Sequence, residues 1–160
     1  MEKRTTPPPT VIDSTKHYSA TVHTSRGDFV IAFVDAKTAP QTVNNFIYLA
    51  QNHFYDGLTF HRVVAGFVVQ GGDPLGNGTG GPAYKLPDES NASKWPRGTV
   101  GMASSAAGVS GSQFFITLGD APFLETSGVY NHFGQIGSGM EVVDKIQIGD
   151  TMSSIDITAS

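Results

Sequence analysis

Residues 60–70 read FHRVVAGFVVQ, and this stretch decides how the rest of the chain is interpreted. Its valines and phenylalanines form two apolar segments of β type, 60–65 and 67–69, joined at Gly66. Arg62 lies among side chains that favour a dry environment, where a guanidinium keeps its charge and needs partners. Two interpretations remain open: a structural ion pair or surface arginine, or an arginine that faces a ligand.

Upstream of this stretch, the sequence predicts a hairpin and one helix. β-rich runs at 18–24 and 28–34 are separated by the turn sequence SRG. At 39–52 the apolar residues follow the i, i+3, i+4, i+7 spacing of one helix face: Val43, Phe46, Ile47 and Ala50. Residues 1–16, with three consecutive prolines, are predicted to be a flexible tail, so the predicted domain spans 17–160.

Downstream, short strands alternate with loops. The glycine-rich stretch after Gln70 is a predicted loop, and residues 82–98, which hold the only tryptophan, are expected to form a long surface excursion. The sequence SGME at 138–141 matches a capping box and predicts a second short helix that ends at Ile146. Strands are predicted at 99–103, 113–118, 132–136 and 155–158, with loops at 104–112 and 121–131.

The strand predicted at 113–118 indicates the architecture, because both of its faces are partly apolar. One face carries Gln113, Phe115 and Thr117, and the other carries Phe114, Ile116 and Leu118. Such a strand packs on an interior with one face and lines a groove with the other. With about eight strands, mostly neighbours in sequence, and two helices, we predict a mainly β fold, an antiparallel closed or nearly closed β-barrel.

Composition limits the classes of function. A chain of 160 residues with 39% hydrophobic and 15% charged residues is expected to fold as one domain with a core. The net charge of −4 and the absence of any long basic cluster argue against nucleic acid as a partner. No apolar run reaches the ~20 residues that a membrane span needs. We expect a cytoplasmic monomer, or a periplasmic or secreted protein if a leader has been removed.

Three familiar motifs do not carry function here. Residues 76–81 satisfy GxGxxG, but the following PAYKLP cannot open the helix that a phosphate site needs. The five histidines are dispersed without metal-ligand spacing, so neither a metal nor a cofactor is expected. His61 is expected to be a hydrogen-bonded structural histidine. No GxSxG sequence holds a serine as a nucleophile.

Three segments resemble a known family. FHRVVAGFVVQGGD, NGTGG and GVSGSQFFITL are similar to the signature segments of the cyclophilins, the peptidyl-prolyl cis-trans isomerases sensitive to cyclosporin. They occur in the family's order and spacing, and the resemblance covers residues 17–158. It implies an eight-stranded antiparallel β-barrel capped by two helices, with a binding groove on the outside of the barrel.

The resemblance also implies functional residues. Arg62 takes the position of the family's catalytic arginine, and Gln70 is predicted to orient it. The implied catalytic set is Arg62, Phe67, Gln70, Phe115 and Tyr130. The implied substrate-binding set is Val68, Gly78, Ala103, Ser104, Ser105, Gln113, Phe123 and Leu124.

Four positions depart from the family pattern. Val68 stands where a methionine is usual, and Ser104 replaces an asparagine whose backbone groups hold the substrate. Phe123 occupies the tryptophan position associated with tight cyclosporin binding, so cyclosporin is expected to bind with reduced affinity. Tyr130 stands at the pocket histidine. Bacterial-type members are similar at these last two positions, which favours that branch.

The chemistry of an Xaa-Pro bond suits this set of residues. Its rotation is opposed by amide resonance with a barrier of ~18–20 kcal/mol, and no covalent bond has to break. A guanidinium can donate a hydrogen bond to the prolyl nitrogen once twisting restores the nitrogen's lone pair. We therefore predict an isomerase of proline-containing peptides and of unfolded or folded client proteins, which assists their folding. The alternative is a proline-peptide binding or chaperone module with little turnover.

Overall fold

The computed structural model describes residues 5–35, 37–90, 94–125 and 130–160. Two helices and eight strands make up the regular structure. The helices are α1 (Pro40–Gln51) and α2 (Met140–Val143), and a single 3₁₀ turn spans Pro122–Glu125. The strands are β1 (Tyr18–Thr24), β2 (Gly27–Phe33), β3 (Arg62–Val64), β4 (Val68–Gly71), β5 (Thr99–Ser105), β6 (Gly108–Thr117), β7 (His132–Ser138) and β8 (Met152–Ala159).

The eight strands form one antiparallel sheet in the order β3-β4-β6-β5-β7-β2-β1-β8. The sheet curls into a half-barrel, and the segments that precede its two edge strands meet each other. Thr59 pairs with Thr151, and the Phe60 N–H donates to the Asp150 carbonyl at 2.9 Å. The predicted β class, strand number and barrel are therefore confirmed, with the two edges joined by these short segments.

The two helices begin in different ways. Helix α1 starts with Pro40, whose fixed φ suits the first turn, and it buries Val43, Phe46 and Ile47 on the barrel. Helix α2 is a single turn that follows Gly139, which has a φ of 85° and provides no side-chain cap. The predicted capping box is wrong, because Ser138 is the last residue of β7. A Cβ at residue 139 would lie 2.6 Å from the Asp28 carbonyl oxygen, so this close turn needs glycine.

Two apolar clusters lie on opposite sides of the sheet. The main core contains Phe114 and Ile116 of β6, with Phe46 edge-on to Phe114 at 5.4 Å between ring centroids. Phe115 of the same strand belongs to a second cluster, which we call the outer cluster. The expectation of a strand packed on both faces is confirmed. The outer cluster consists of Val68, Trp95, Phe115, Ala121 and Leu124, with Phe67, Ala103 and Tyr130 packed against it.

Residues 82–98 are not the surface excursion that the sequence predicted. Trp95 is 3% exposed, and Tyr84 and Leu86 are each 6% exposed. The Tyr84 hydroxyl donates to Asn45 Oδ1, and Leu86 pairs with Val109 in an isolated bridge. Polar and turn-forming residues between these anchors hide their spacing in the sequence. Within residues 82–90 and 94–98, the buried side chains therefore pack against the barrel although the composition of this segment is that of a loop.

Two side chains of this segment fix the helices. Glu89 accepts the N–H of Thr42 at 2.7 Å and that of Gln41 at 3.0 Å, and so caps α1 from a distant part of the chain. The Arg97 guanidinium forms a bidentate pair with Asp144 at 2.7 and 2.6 Å, just after α2. The segment thus contacts the start of one helix and the end of the other.

The predicted loop at 104–112 is mostly strand. β5 continues to Ser105 and β6 begins at Gly108, so residues 106 and 107 form the whole turn of a hairpin. The small residues of this stretch have weak β propensity, and the pairing of Ser104 with Val109 holds them in the sheet. The strand predicted at 60–65 is the shorter β3 (Arg62–Val64), and the strand predicted at 67–69 is shifted toward the C-terminus as β4 (Val68–Gly71).

The N-terminal segment contacts α1. Asn44 Oδ1 accepts the N–H of Val11 at 2.7 Å, and Asn44 Nδ2 donates to the Pro9 carbonyl at 3.0 Å. The division of the chain at residue 16 stays a prediction.

None of the described helices is long and apolar enough to span a membrane.

His23 of β1 bridges the two neighbouring strands, β2 and β8. Its Nδ1 lies 2.9 Å from Asp28 Oδ1, and its Nε2 lies 2.8 Å from Asp156 Oδ2. The hydrogen bond to Asp156, followed by that to Asp28, raises the pKa of His23 above its ordinary value. The folded protein therefore binds this proton more tightly than the unfolded chain does.

The stabilisation from this bridge is expected to depend on pH. It is fully present below the unfolded pKa of about 6.5 and is lost as the pH rises through the raised folded value. We expect His23→Gln to lower the free energy of unfolding more at about pH 5.5 than at about pH 9. Urea denaturation at the two pH values measures this, with His17→Gln at an exposed position as the matched control. Equal losses at both pH values would contradict the prediction.

Candidate active site

The register of the sheet places five residues in one row. Arg62 of β3 pairs with Gln70 of β4, which pairs with Phe115 of β6. Phe115 pairs with Gly101 of β5, and Gly101 pairs with His132 of β7. Paired residues of neighbouring antiparallel strands project to the same face. The row therefore carries a cation, an amide and an aromatic ring side by side over the outer face of the barrel.

A chain of hydrogen bonds fixes the polar end of this row. The Arg62 Nη1 donates to Gln70 Oε1 at 3.3 Å, and Gln70 Nε2 donates to Gln113 Oε1 at 3.2 Å. Gln113 Nε2 donates to the carbonyls of Gly78 at 3.1 Å and Gly80 at 2.9 Å. The contact by which Gln70 was predicted to orient Arg62 is present. The chain also ties both glutamines to the glycine-rich loop.

Arg62 itself is exposed, so it is not the buried arginine that its sequence neighbours suggested. Its Cζ lies 5.8 Å from the centroid of the Phe67 ring. Among residues 5–35, 37–90, 94–125 and 130–160, the ion pairs within 4.0 Å include none to Arg62. The structural ion-pair interpretation therefore fails for this part of the chain, and the guanidinium faces solvent with one amide partner.

The glycine-rich loop folds around the carboxylate of Asp73, which is 1% exposed. This carboxylate accepts backbone N–H groups from Leu75 at 2.8 Å, Asn77 at 3.0 Å and Gly78 at 2.5 Å. Burial alone would raise the pKa of Asp73, but the N–H groups of the loop together hold it below its ordinary value. The N–H groups of Leu75, Asn77 and Gly78 therefore already have an acceptor in this internal carboxylate.

The apolar end of the row is built from aromatic rings. Phe115 is edge-on to Tyr130 at 5.8 Å between centroids, with an angle of 87° between the planes. Phe67 lies 5.1 Å from Phe123, which is 51% exposed at the rim. Val68 and Leu124 are buried in the same outer cluster. The apolar residues implied by the resemblance thus lie together, beside Arg62 and the two glutamines.

The other implied residues lie at the border of this group. Gly78 contributes its carbonyl to Gln113, and Ala103 packs against the outer cluster. Ser104 and Ser105 lie at the end of β5, where they pair with Val109 and Gly108. The functional roles of these residues stay predictions, although the structure shows their positions.

Two features of the site were missed or misjudged from the sequence. Trp95 stacks on Phe115 at 5.5 Å with a plane angle of 22°, yet in the sequence it stood out only as the sole tryptophan.

The expected hydrogen bond of His61 is absent at Nδ1, which is buried without a partner in the described part of the chain. Burial lowers the pKa of His61, the Asp73 charge opposes this shift and the Arg62 charge adds to it. The imidazole is therefore neutral near pH 7.

No group of three or more potential metal-ligating side chains occurs within the described residues. The chemistry available here is a hydrogen-bond donor with a fixed positive charge, amides that can hold a peptide backbone, and an apolar surface for a ring. These groups can bind and distort a peptide without making or breaking a covalent bond.

Comparison with known proteins agrees with this geometry. A family model described as cyclophilin type peptidyl-prolyl cis-trans isomerase matches residues 19–159. A peptidyl-prolyl cis-trans isomerase of Helicobacter pylori is 44% identical over 145 residues, which cover 88% of this chain and 87% of that protein. Peptidyl-prolyl cis-trans isomerase B of Bacillus subtilis is 46% identical over 123 residues, with coverages of 76% and 85%.

Solved structures show the same relationship. The crystal structure of a cyclophilin type peptidyl-prolyl cis-trans isomerase from Cryptosporidium parvum has a TM-score of 0.80 at 29% identity, covering 90% of this chain and 99% of that one. The fold and these relatives define a peptidyl-prolyl cis-trans isomerase. The chain belongs to the cyclophilin family of these enzymes, as its three sequence segments predicted.

The anchoring of the glycine-rich loop by Asp73 can be tested by Asp73→Asn. The amide keeps one of the two acceptor oxygens, so the loop loses at least one of its N–H bonds and the carbonyls of Gly78 and Gly80 shift away from Gln113. We expect the KM for a proline peptide to rise by about tenfold, since the loss of one hydrogen bond to a charged group costs roughly 1.5 kcal/mol or more. Steady-state kinetics measure this, with Asp88→Asn in an exposed loop as the matched control. A KM equal to that of the control would contradict it.

Proposed function

We propose that this enzyme accelerates Xaa-Pro rotation in peptides and client proteins by electrostatic stabilisation of the twisted prolyl amide, with Arg62 as the donor. The observation that carries the proposal is the exposed Arg62 guanidinium, held by Gln70 Oε1 at 3.3 Å beside the aromatic cluster. It is fixed in position and has no carboxylate partner within the described ranges. A charge that is held but not neutralised can interact with a substrate.

Binding is the first step of this proposal. The proline ring packs on the outer cluster, between Phe67 and Phe115, where its apolar surface leaves water. Gln113 and the backbone of Ser104 hold the peptide on either side of the ring. A solved relative, the Cryptosporidium parvum enzyme, was crystallised in the presence of the dipeptide ala-pro, at a TM-score of 0.78 and 30% identity to this chain. That structure supports a proline peptide as the ligand.

Rotation is the second step. In the planar amide the prolyl nitrogen shares its lone pair with the carbonyl and accepts no hydrogen bond. As the bond twists, the nitrogen becomes pyramidal and regains the lone pair, and the Arg62 N–H donates to it. This interaction exists only near the transition state, so it lowers the barrier without tightening the ground state. No covalent intermediate and no cofactor take part.

Arg62→Ala tests the donor. We expect a folded enzyme whose kcat falls by about 10²- to 10³-fold, the usual loss when one donor to a developing charge is removed. Peptide binding should change much less, because the apolar cluster is intact. Exchange NMR on a proline peptide measures both quantities, since binding shifts resonances while catalysis speeds cis-trans exchange.

Arg26→Ala is the matched control for this experiment. Arg26 is also an exposed arginine, but it pairs with Asp150 at 2.7 Å and is not one of the five residues of the row. Its removal is expected to leave kcat unchanged. An Arg62→Ala enzyme as active as Arg26→Ala would overturn the assignment. If both variants fail to speed cis-trans exchange, they share a folding defect, which urea denaturation detects.

Cyclosporin binding is proposed to be weak because Phe123 replaces an indole at the rim. Its ring is 51% exposed and packs on Phe67 at 5.1 Å, so a larger ring can be accommodated outward. We expect Phe123→Trp to bind cyclosporin about tenfold more tightly, through added apolar area and an indole N–H donor. Calorimetric titration measures the gain, with Phe54→Trp away from the site as the control. Equal affinities of both variants would contradict it.

A further inference from the structure

Trp95 fills a gap in the row of residues that crosses the sheet. Gly101 stands in this row between Phe115 and His132 and contributes no side chain. The indole of Trp95 lies over this glycine, 5.5 Å from the Phe115 ring and 5.5 Å from the His132 ring. A residue outside the sheet thus supplies the side chain that the row lacks.

The fit around Gly101 leaves no spare space. A Cβ at this position would lie 2.6 and 2.8 Å from two indole carbons of Trp95 and 2.9 Å from Phe115 Cζ. These distances are shorter than van der Waals contacts, so any side chain at residue 101 would displace one of the two rings. The absence of a side chain at Gly101 therefore allows the Trp95 indole to pack closely against both Gly101 and Phe115.

Trp95 also supports two other parts of the outer cluster. Its indole is edge-on to Tyr130 at 6.3 Å with a plane angle of 80°, and Tyr130 is in turn edge-on to Phe115. Its backbone carbonyl accepts the Ala121 N–H at 2.8 Å, at the start of the turn that carries Phe123 and Leu124. One buried residue, 3% exposed, thus touches or anchors three walls of the cluster.

From these contacts we propose that Trp95 is a positioning residue that sets the shape of the proline-binding surface by holding Phe115 and Tyr130. The inference rests on the proposed function, in which the proline ring packs on Phe115. The polar chain from Arg62 through Gln70 to Gln113 is fixed separately, by hydrogen bonds to the glycine-rich loop. Trp95 therefore controls how well the ring is bound, whereas Arg62 controls how fast the bond rotates.

A split between KM and kcat tests this division. We expect Trp95→Leu, which removes ring stacking and edge contacts, to raise the KM for an Ala-Pro tetrapeptide about tenfold with kcat within about twofold of wild type. Trp95→Phe should restore part of the affinity, because a smaller ring can still stack on Phe115. Gly101→Ala perturbs the same contact from the opposite side and is expected to raise KM in the same way.

Phe29→Leu is the matched control for a merely structural role. Phe29 is fully buried in the main core on β2, so this change lowers stability without touching the outer cluster. Its KM should equal that of wild type at a temperature where both are folded. If Trp95→Leu and Gly101→Ala keep the wild-type KM, the positioning role is overturned. A fall in kcat at constant KM would overturn it as well, since it would place Trp95 with Arg62.

Fluorescence tests the inference without any substitution at Trp95 or Gly101. Trp95 is the only tryptophan of the chain, so emission excited at the indole reports on this position alone. The Ala-Pro tetrapeptide is expected to change the emission in wild type and equally in Arg62→Ala, while an Ala-Ala tetrapeptide leaves it constant. Constant emission at peptide concentrations that saturate the NMR shifts would overturn the inference. Loss of the proposed function shows separately, as full activity of Arg62→Ala.

Discussion

The cross-strand register of β3, β4, β6, β5 and β7 is the constraint on which the site depends. It sets Arg62, Gln70, Phe115, Gly101 and His132 side by side on one face. A slip of one residue in any of these strands would turn its side chains to the opposite face. The main core enforces the register from beneath, because Phe114 and Ile116 of β6 must face inward when Phe115 faces outward. The same strands therefore determine both the stability of the core and the geometry of the site.

The sequence predicted the parts of the fold that rest on periodicity. The two-sided apolar pattern at 113–118, the helix at 40–51 and the barrel with eight strands could all be inferred, because burial imposes periods of 2 and 3.6 residues. Predictions failed where long-range contacts decide the conformation. Ser104 and Val109 lie in strands because they pair with each other, and the residue before α2 is Gly139 because the Asp28 carbonyl lies too close for any side chain.

The site was predictable to a different degree at its two ends. Arg62, Phe67 and Phe115 are of residue types that stand out in a β context, and the resemblance to a family placed them. Trp95 could not be assigned, because it lies outside the strands and its partner Gly101 has no side chain to suggest a contact. The role of Asp73 could not be predicted either, because an aspartate in a glycine-rich loop is common. Only the loop N–H groups that donate to its carboxylate show that Asp73 holds the loop in place next to the glutamines.

Residues 82–98 connect distant parts of the molecule, although their composition is that of a loop. Glu89 binds the first turn of α1, Trp95 fills the row, and Arg97 pairs with Asp144 after α2. Asn131, next to Tyr130, joins this arrangement by accepting the Glu89 N–H at 2.9 Å. The described residues of this segment, 82–90 and 94–98, contact the rest of the protein at these three anchor residues, which are fixed distances apart in the sequence. A transplant of the segment into another barrel would need all three anchor points at once, so we regard 82–98 as an inseparable unit for protein engineering.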